Sequence, residues 1–276
     1  MLALAWRRRS TKLLLLLCLG VFIGHLVWVV SSLLASHFDQ ATQFTTQELA
    51  GRIFGSSREI IGVFLSTQFY VTAFAVAGIA GGCVANDRRL GAFDLIFARP
   101  LSPLDYAGGK LLGVGAICVV TLVIPAFLIW LVAVGIAPTH LRADLWWLIV
   151  PAVMGALLAS ALLTATLVGL SAHSLRGQAV TAIYIAALAL GSAFMEGAAA
   201  SVDLAGYLAP ERSLRTVIEW FLEFAGPIER SAAGSFAAVR ESSLNDSVFG
   251  SALALLTYIG GGLYALRLRL RWEVVQ

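Results

Sequence analysis

An all-α polytopic membrane protein with six transmembrane helices is the fold class this sequence predicts, on three observations. Hydrophobic residues make up 59% of the 276-residue chain and charged residues only 13%, whereas a soluble domain averages roughly 45–50% apolar and about 25% charged. The apolar residues gather into six runs, and a helix crossing about 30 Å of hydrocarbon needs roughly 20 such residues. None of the runs alternates apolar with polar residues as a membrane barrel strand does, and backbone groups in lipid must bond within their own segment. The runs are therefore read as helices.

In order, the spans are expected at residues 13–35, 60–85, 111–137, 145–170, 179–196 and 248–266, in a single transmembrane domain covering 1–276. Residues 1–12 carry Trp6 and Arg7, Arg8, Arg9 and Lys12. They read as a cytoplasmic interfacial segment, with Trp6 at headgroup depth and the arginines on lipid phosphates, or as a plain basic tail. The first run exceeds the ~7–15 residues of a secretory signal core and no small-x-small site follows, so it is read as an uncleaved span. Residues 86–110 form a loop between the second and third spans, and Ser171 to Gln178 a shorter one after the fourth. Residues 197–247 read as an external loop, with Pro210, Pro227 and an amphipathic run from Thr216 to Phe224. Its apolar residues recur at helical spacing, which places it on the outer leaflet surface. No internal repeat relates the halves, against an inverted-repeat secondary transporter.

Charge sets the orientation. With the N-terminus cytoplasmic, the inner loops and ends hold twelve of the 19 Lys and Arg residues against four acids, and the outer segments hold seven against twelve. By the positive-inside rule both termini are cytoplasmic.

The spans themselves carry little chemistry. Cys18, Cys83 and Cys118 all lie in apolar runs without metal spacing and read as packing residues. His25 is the one clear titratable group at mid-membrane and reads as a hydrogen-bonded structural residue. Gln68, Tyr70 and Thr72 give the second span a polar face, which either lines a substrate path or bonds a neighbouring helix. The pairs Gly20/Gly24, Gly78/Gly82 and Gly109/Gly113 would permit close helix approach. The chain has no HExxH, no paired intramembrane carboxylates and no Ser/His/Asp set. Nor does it carry a P-loop: Leu104 stands where the first glycine would be, and Leu111 follows Gly109-Lys110. Nothing in the pattern calls for nucleic acid as a partner. Work against a gradient would need energy from another chain.

The loop 86–110 is the segment that suggests a role. Asp87, Arg88 and Arg89 make a solvated start, and Leu90 to Phe97 is a short amphipathic segment too brief to span. Pro100 and Pro103 stop it, and Ser102 with Asp105 can cap the next helix. Such a projecting segment either docks in a groove of a partner or merely connects two spans.

Asp87, Gly91, Ala92, Asp94, Ala98-Arg99-Pro100, Tyr106 and Gly109-Lys110 resemble the signature region of type-2 ABC exporter permeases, the ABC-2-type membrane subunits. Pro227-Ile228-Glu229-Arg230-Ser231, Gly234 and the ending Arg271-Trp272 are similar to the branch with permeases of gliding motility and nitrous-oxide reductase maturation. Two departures are Arg89, where an acid is usual, and Ala92, where the family has Thr. The resemblance implies a type-2 exporter bundle in the cytoplasmic (inner) membrane, which is not itself an enzyme. It would pair with a second permease chain, identical or not, and be solvated by membrane lipid. Separate cytoplasmic ABC ATPase chains would bind the ATP and magnesium, with no cofactor in this chain. Asp87, Arg88, Gly91, Asp94, Arg99, Pro100, Tyr106 and Lys110 would couple to the ATPase. His173 and Arg176 would make a second cytoplasmic contact, and Gln68, Tyr70 and Thr72 would belong to the substrate path. The rival readings are a polytopic enzyme acting on lipid and a non-transporting envelope assembly or force-transmitting subunit.

Overall fold

In a computed structural model, residues 9–39, 57–93, 98, 102–137, 142, 145–199, 202–224 and 247–275 are described. The described residues are helical throughout apart from turns and short links, with no strand. In chain order the helices are α1 (Arg9–Asp39), α2 (Ser57–Ala80), α3 (Ala85–Arg89), α4 (Pro103–Ile136) and α5 (Ile149–His173). Then follow α6 (Gly177–Ala186), a π-helical turn (Ala187–Gly191), α7 (Ser192–Ala199), α8 (Asp203–Tyr207), α9 (Pro210–Phe224) and α10 (Val248–Val275). Among the described residues, six segments are long and apolar enough to cross a membrane: Thr11–Ser31, Ile61–Arg89, Pro103–Ile136, Ile149–His173, Gly177–Ala199 and Val248–Arg271. The protein is an integral, multi-pass helical membrane protein.

The largest boundary shifts have local causes. α4 begins at Pro103 because Ser102 and Asp105 form a capping box: the Ser102 hydroxyl accepts from the Asp105 N–H at 3.1 Å, and Asp105 Oδ2 accepts from the Ser102 N–H at 3.1 Å. At 34 residues and about 1.5 Å per residue, α4 is far longer than the hydrocarbon and projects beyond it. α10 likewise continues past Leu266, through Arg267, Arg269 and Arg271.

Helix α5 is the hub, packing on α4, α10, α9 and α2. Without a hydrophobic force between helices in lipid, close packing has to come from small residues, and α5 buries Ala152, Gly155, Ala156, Ala159, Gly169 and Ala172. The tightest crossing is with α10. A Cβ on Gly169 would lie 2.8 Å from the Gly262 Cα, and one on Gly262 would lie 2.6 Å from the Ala165 carbonyl carbon. Of the predicted small-residue pairs, only Gly78/Gly82 is used inside the described bundle, with Gly78 against Leu14 and Gly82 against Gly177; the other two pairs have open space at the Cβ position.

The amphipathic segment departs from expectation. Instead of lying on the outer surface, α9 is wedged against α2, α5 and α10. Leu214, Val217 and Ile218 are buried, and Ile218 sits where a Cβ on Gly155 would come within 2.8 Å. The apolar spacing that suits a lipid surface suits a bundle face equally, and here Tyr70 of α2 donates to the Glu211 carboxylate in the first turn of α9.

Candidate functional site

The features of the 86–110 region begin with a break in the second span. α2 loosens over Gly81–Val84 before α3 starts, which leaves backbone groups needing outside partners. Ser171 of α5 supplies one, its Oγ accepting from the Val84 and Ala85 N–H groups at 3.1 and 3.2 Å. Thr181 of α6 adds a second bond to the Ala77 carbonyl at 2.8 Å, beside the one that carbonyl accepts from the Gly81 N–H at 2.9 Å. A Cβ on Gly177 would lie 2.7 Å from the Gly82 Cα, so the two backbones meet at the break. Arg88 then reaches the end of α5, where its Nη1 donates to the Ala172 and Ser174 carbonyls at 2.9 and 3.3 Å. A guanidinium on the last carbonyls of a helix also complements its dipole. Together these contacts fix α3 to the end of α5.

Asp87 faces α4. Its Oδ2 pairs with Lys110 Nζ at 2.5 Å and accepts from the Tyr106 hydroxyl at 2.8 Å. Lys110 also donates to the Cys83 carbonyl at 2.8 Å and stands 5.2 Å over the Tyr106 ring, which meets Phe93 edge-on. Lys110 and Tyr106 are buried and Asp87 is largely covered. These three predicted coupling residues are thus a strut between α3 and α4, pointing at one another rather than outward. Gly91 ends the short helix with φ +64°, a left-handed conformation a glycine adopts without a Cβ penalty. What the region leaves exposed is a different set: Arg89 and Asp105, with the apolar side chains Leu90 and Leu104 at 72% and 74%. The sequence reading did not single out either leucine. The signal available was a leucine beside a turn at each end of a charged loop. Asp94, Arg99 and Pro100 lie outside the described residues.

A family model for ABC-2 family transporter proteins matches residues 13–214, well over half of the chain and including the whole 86–110 segment. The chain belongs to the ABC-2 transporter family. No curated protein matches it. Membership makes it the permease subunit of an ABC transporter, and ABC-2 permeases generally work with cytoplasmic ABC ATPases as non-enzymatic transport subunits. They generally hold no cofactor in the membrane chain; among the described residues no group of His, Cys, Asp or Glu is arranged to hold a metal ion.

The other predicted residues of this ABC-2 permease are distributed as follows. His173 is exposed at the end of α5 and its Nε2 donates to the Ala265 carbonyl of α10 at 3.1 Å; Arg176 is exposed on the link to α6. These two therefore share one end of the bundle with α3. In α2, Gln68 and Thr72 are sealed in the interior at 0% exposure, so neither lines an open path in this conformation. Gln68 has a specific task. Pro125 lies inside α4 and has no N–H to give the carbonyl four residues earlier, that of Thr121. Gln68 Nε2 donates to that carbonyl at 2.9 Å, with a longer reach of 3.4 Å to the Cys18 carbonyl. Tyr70 is half-buried and lines a shallow apolar cleft with Ala73, Phe74, Ile185 and Leu188, beside the π-helical turn. His25 Nδ1 donates to the Val21 carbonyl at 2.9 Å, and its ring meets Phe64 edge-on.

Glu211 was missed. The Tyr70 hydroxyl donates to its Oε2, and Arg215 Nη2 donates to its Oε1 at 2.6 Å. The buried carboxylate is carried into the bundle by α9 rather than by any of the six spans. Pro210-Glu211 at the head of an amphipathic run was the available sign.

Proposed function

We propose that this chain is the membrane half of an ATP-driven exporter in the inner membrane, with both termini cytoplasmic. The end of the bundle that carries α3 would sit on a separate ATPase chain that binds the ATP and magnesium. The observation that carries this reading is the family match over 13–214, joined to a short helix, α3, braced against α4 and α5 at once. In this arrangement Leu90, Gly91 and Leu104 belong to the seat, together with Asp94, Arg99 and Pro100, which lie between them in the sequence. Asp87, Arg88, Tyr106 and Lys110 act behind it and hold the seat at a fixed angle to α4 and α5. His173 and Arg176 make the second contact. Closure of an ATPase pair would tilt this end of the bundle and bias it between inward- and outward-facing states, a shift driven by differential binding. Substrate would pass between two permease copies along the first, second and fifth spans, with Tyr70 and its apolar cleft at the edge of that route and Gln68 and Thr72 behind it. The ending Arg271-Trp272 and the 227–234 segment support a place near the permeases of gliding motility and nitrous-oxide reductase maturation.

The test is to purify the full chain from its native membranes and identify any co-purifying nucleotide hydrolase. Leu90→Asp and Leu104→Asp are then compared with wild type, both positions being exposed. Loss of the hydrolase with an unchanged gel-filtration profile of the permease is expected. A hydrolase that stays bound to both variants rejects this seat, and a chain that captures none under any condition rejects the exporter reading.

A further inference from the structure

Helix α10 leaves most of its surface outside the bundle: only 11% of its span is buried, against 61% for α5. Its inward face is Ser251, Leu255, Leu266 and Leu270, which are all buried. The outward face repeats every three or four residues and is ordered by chemistry. Phe249, Leu253 and Leu256 are exposed and apolar, Tyr264 is exposed and aromatic, and Arg267 and Arg271 are exposed and cationic. Spacings of three and four, with exposed Gly260 standing midway between Leu256 and Tyr264, put all six on one stripe of the helix. His173, in the last turn of α5, bonds the Ala265 carbonyl, so Arg267 stands level with the end of the bundle. Leu256 to Tyr264 covers about 12 Å at 1.5 Å per residue, close to the depth of one leaflet, about half of 30 Å.

We infer that this stripe is a binding site for an anionic phospholipid of the leaflet at that end. An acyl chain would lie along Leu256 to Tyr264, and the headgroup phosphate would lie between the Arg267 and Arg271 guanidinium groups. A guanidinium pairs with a phosphate through two parallel hydrogen bonds, and two of them one turn apart prefer a headgroup with net negative charge over a zwitterionic one. The stripe is poorly suited to a second copy. Two copies in one membrane, related by a two-fold axis along its normal, would align α10 in parallel with itself at the same depth. Arg267 and Arg271 would then face their own equivalents, a like-charge contact with no Asp or Glu from Val248 to Arg271 to offset it. α1, with an equally uncovered span and no charge on its exposed positions from Leu13 to Leu34, carries no such obstacle. The site needs neither an ATPase nor a substrate, so it stands apart from the exporter reading.

The test is native mass spectrometry of the full chain in detergent, titrated with phosphatidylglycerol or phosphatidylcholine. Wild type should retain phosphatidylglycerol at least about five-fold more readily. R267Q/R271Q should lose that preference while R89Q, an exposed arginine at the same end on another helix, keeps it. If the double variant does not purify as a single species, R267Q and R271Q singly should each lose part of it. Equal retention of the two lipids by wild type, or an unaltered preference in R267Q/R271Q, overturns the site. So does efficient disulfide cross-linking of Leu256→Cys or Tyr264→Cys between copies in native membranes, which would show the stripe covered by protein.

Discussion

Replacing Gln68 by Leu tests whether a buried amide in α2 is there to serve a proline in α4. Gln68 is 0% exposed and its Nε2 lies 2.9 Å from a carbonyl that Pro125 leaves without a helical donor. Leaving a buried acceptor unpaired costs about 1–3 kcal/mol, whereas side-chain hydrogen bonds between membrane helices average about 0.6 and reach about 1.7 kcal/mol in double-mutant cycles. Gln68 Oε1 has no hydrogen-bond partner, and Leu removes that oxygen as well, which offsets part of the loss. The expected net cost of Q68L is therefore about 1 kcal/mol. The decisive quantity is its dependence on residue 125. P125A restores an N–H that can bond the Thr121 carbonyl within α4, so Q68L in that background should cost at least about 1 kcal/mol less than in wild type. Unfolding in mixed detergent micelles, followed by the intrinsic fluorescence of the seven tryptophans, measures all four corners of the cycle. Additivity within about 0.4 kcal/mol would show that the two residues act independently and refute the reasoning.

Three further outcomes are expected. S171A removes the acceptor for two backbone N–H groups at the α2–α3 break; it should cost about 1–3 kcal/mol and speed amide exchange at Val84 and Ala85 relative to α5. K110M strips Asp87 of its cation and Cys83 of its donor. Because Asp87 retains some solvent access, about 2 kcal/mol is expected rather than the full cost of a fully buried broken pair, and K110M/D87N should recover part of it in thermal unfolding. G262A drives a Cβ into the α5 backbone and should cost about 1–3 kcal/mol. G260A, which meets nothing within 4 Å, should be neutral or stabilising by up to about 1 kcal/mol, and a thermal melt of the pair reads the difference in sign.

The spans were legible because bilayer thickness imposes one length on them, and the start of α4 because Ser102, Pro103 and Asp105 form a cap within four residues of sequence. What could not be read depends on partners distant in the chain. Asp87 meets Lys110 and Tyr106 only because α2 breaks at Gly81–Val84 and turns the carboxylate toward α4. The polar face of Gln68, Tyr70 and Thr72 looked uniform in sequence, but its members separate: Gln68 serves Pro125, Tyr70 binds Glu211, and Thr72 is enclosed. α9 was misplaced because an apolar stripe at helical spacing does not say whether it faces lipid or protein. A proline inside an apolar span, with one amide in the span before it, was the clue to the Gln68 contact that single-span reasoning passes over.

The bracing of α3 has a mechanical corollary. Arg88 and Ser171 tie that short helix to α5, the central pillar against which the other segments rest. If a partner loads α3, the force passes to α5 first and, across the Gly169–Gly262 crossing, straight on to α10. α1, which packs mainly on α2 and α4, would feel it last, and the break at Gly81–Val84 gives α2 a place to bend.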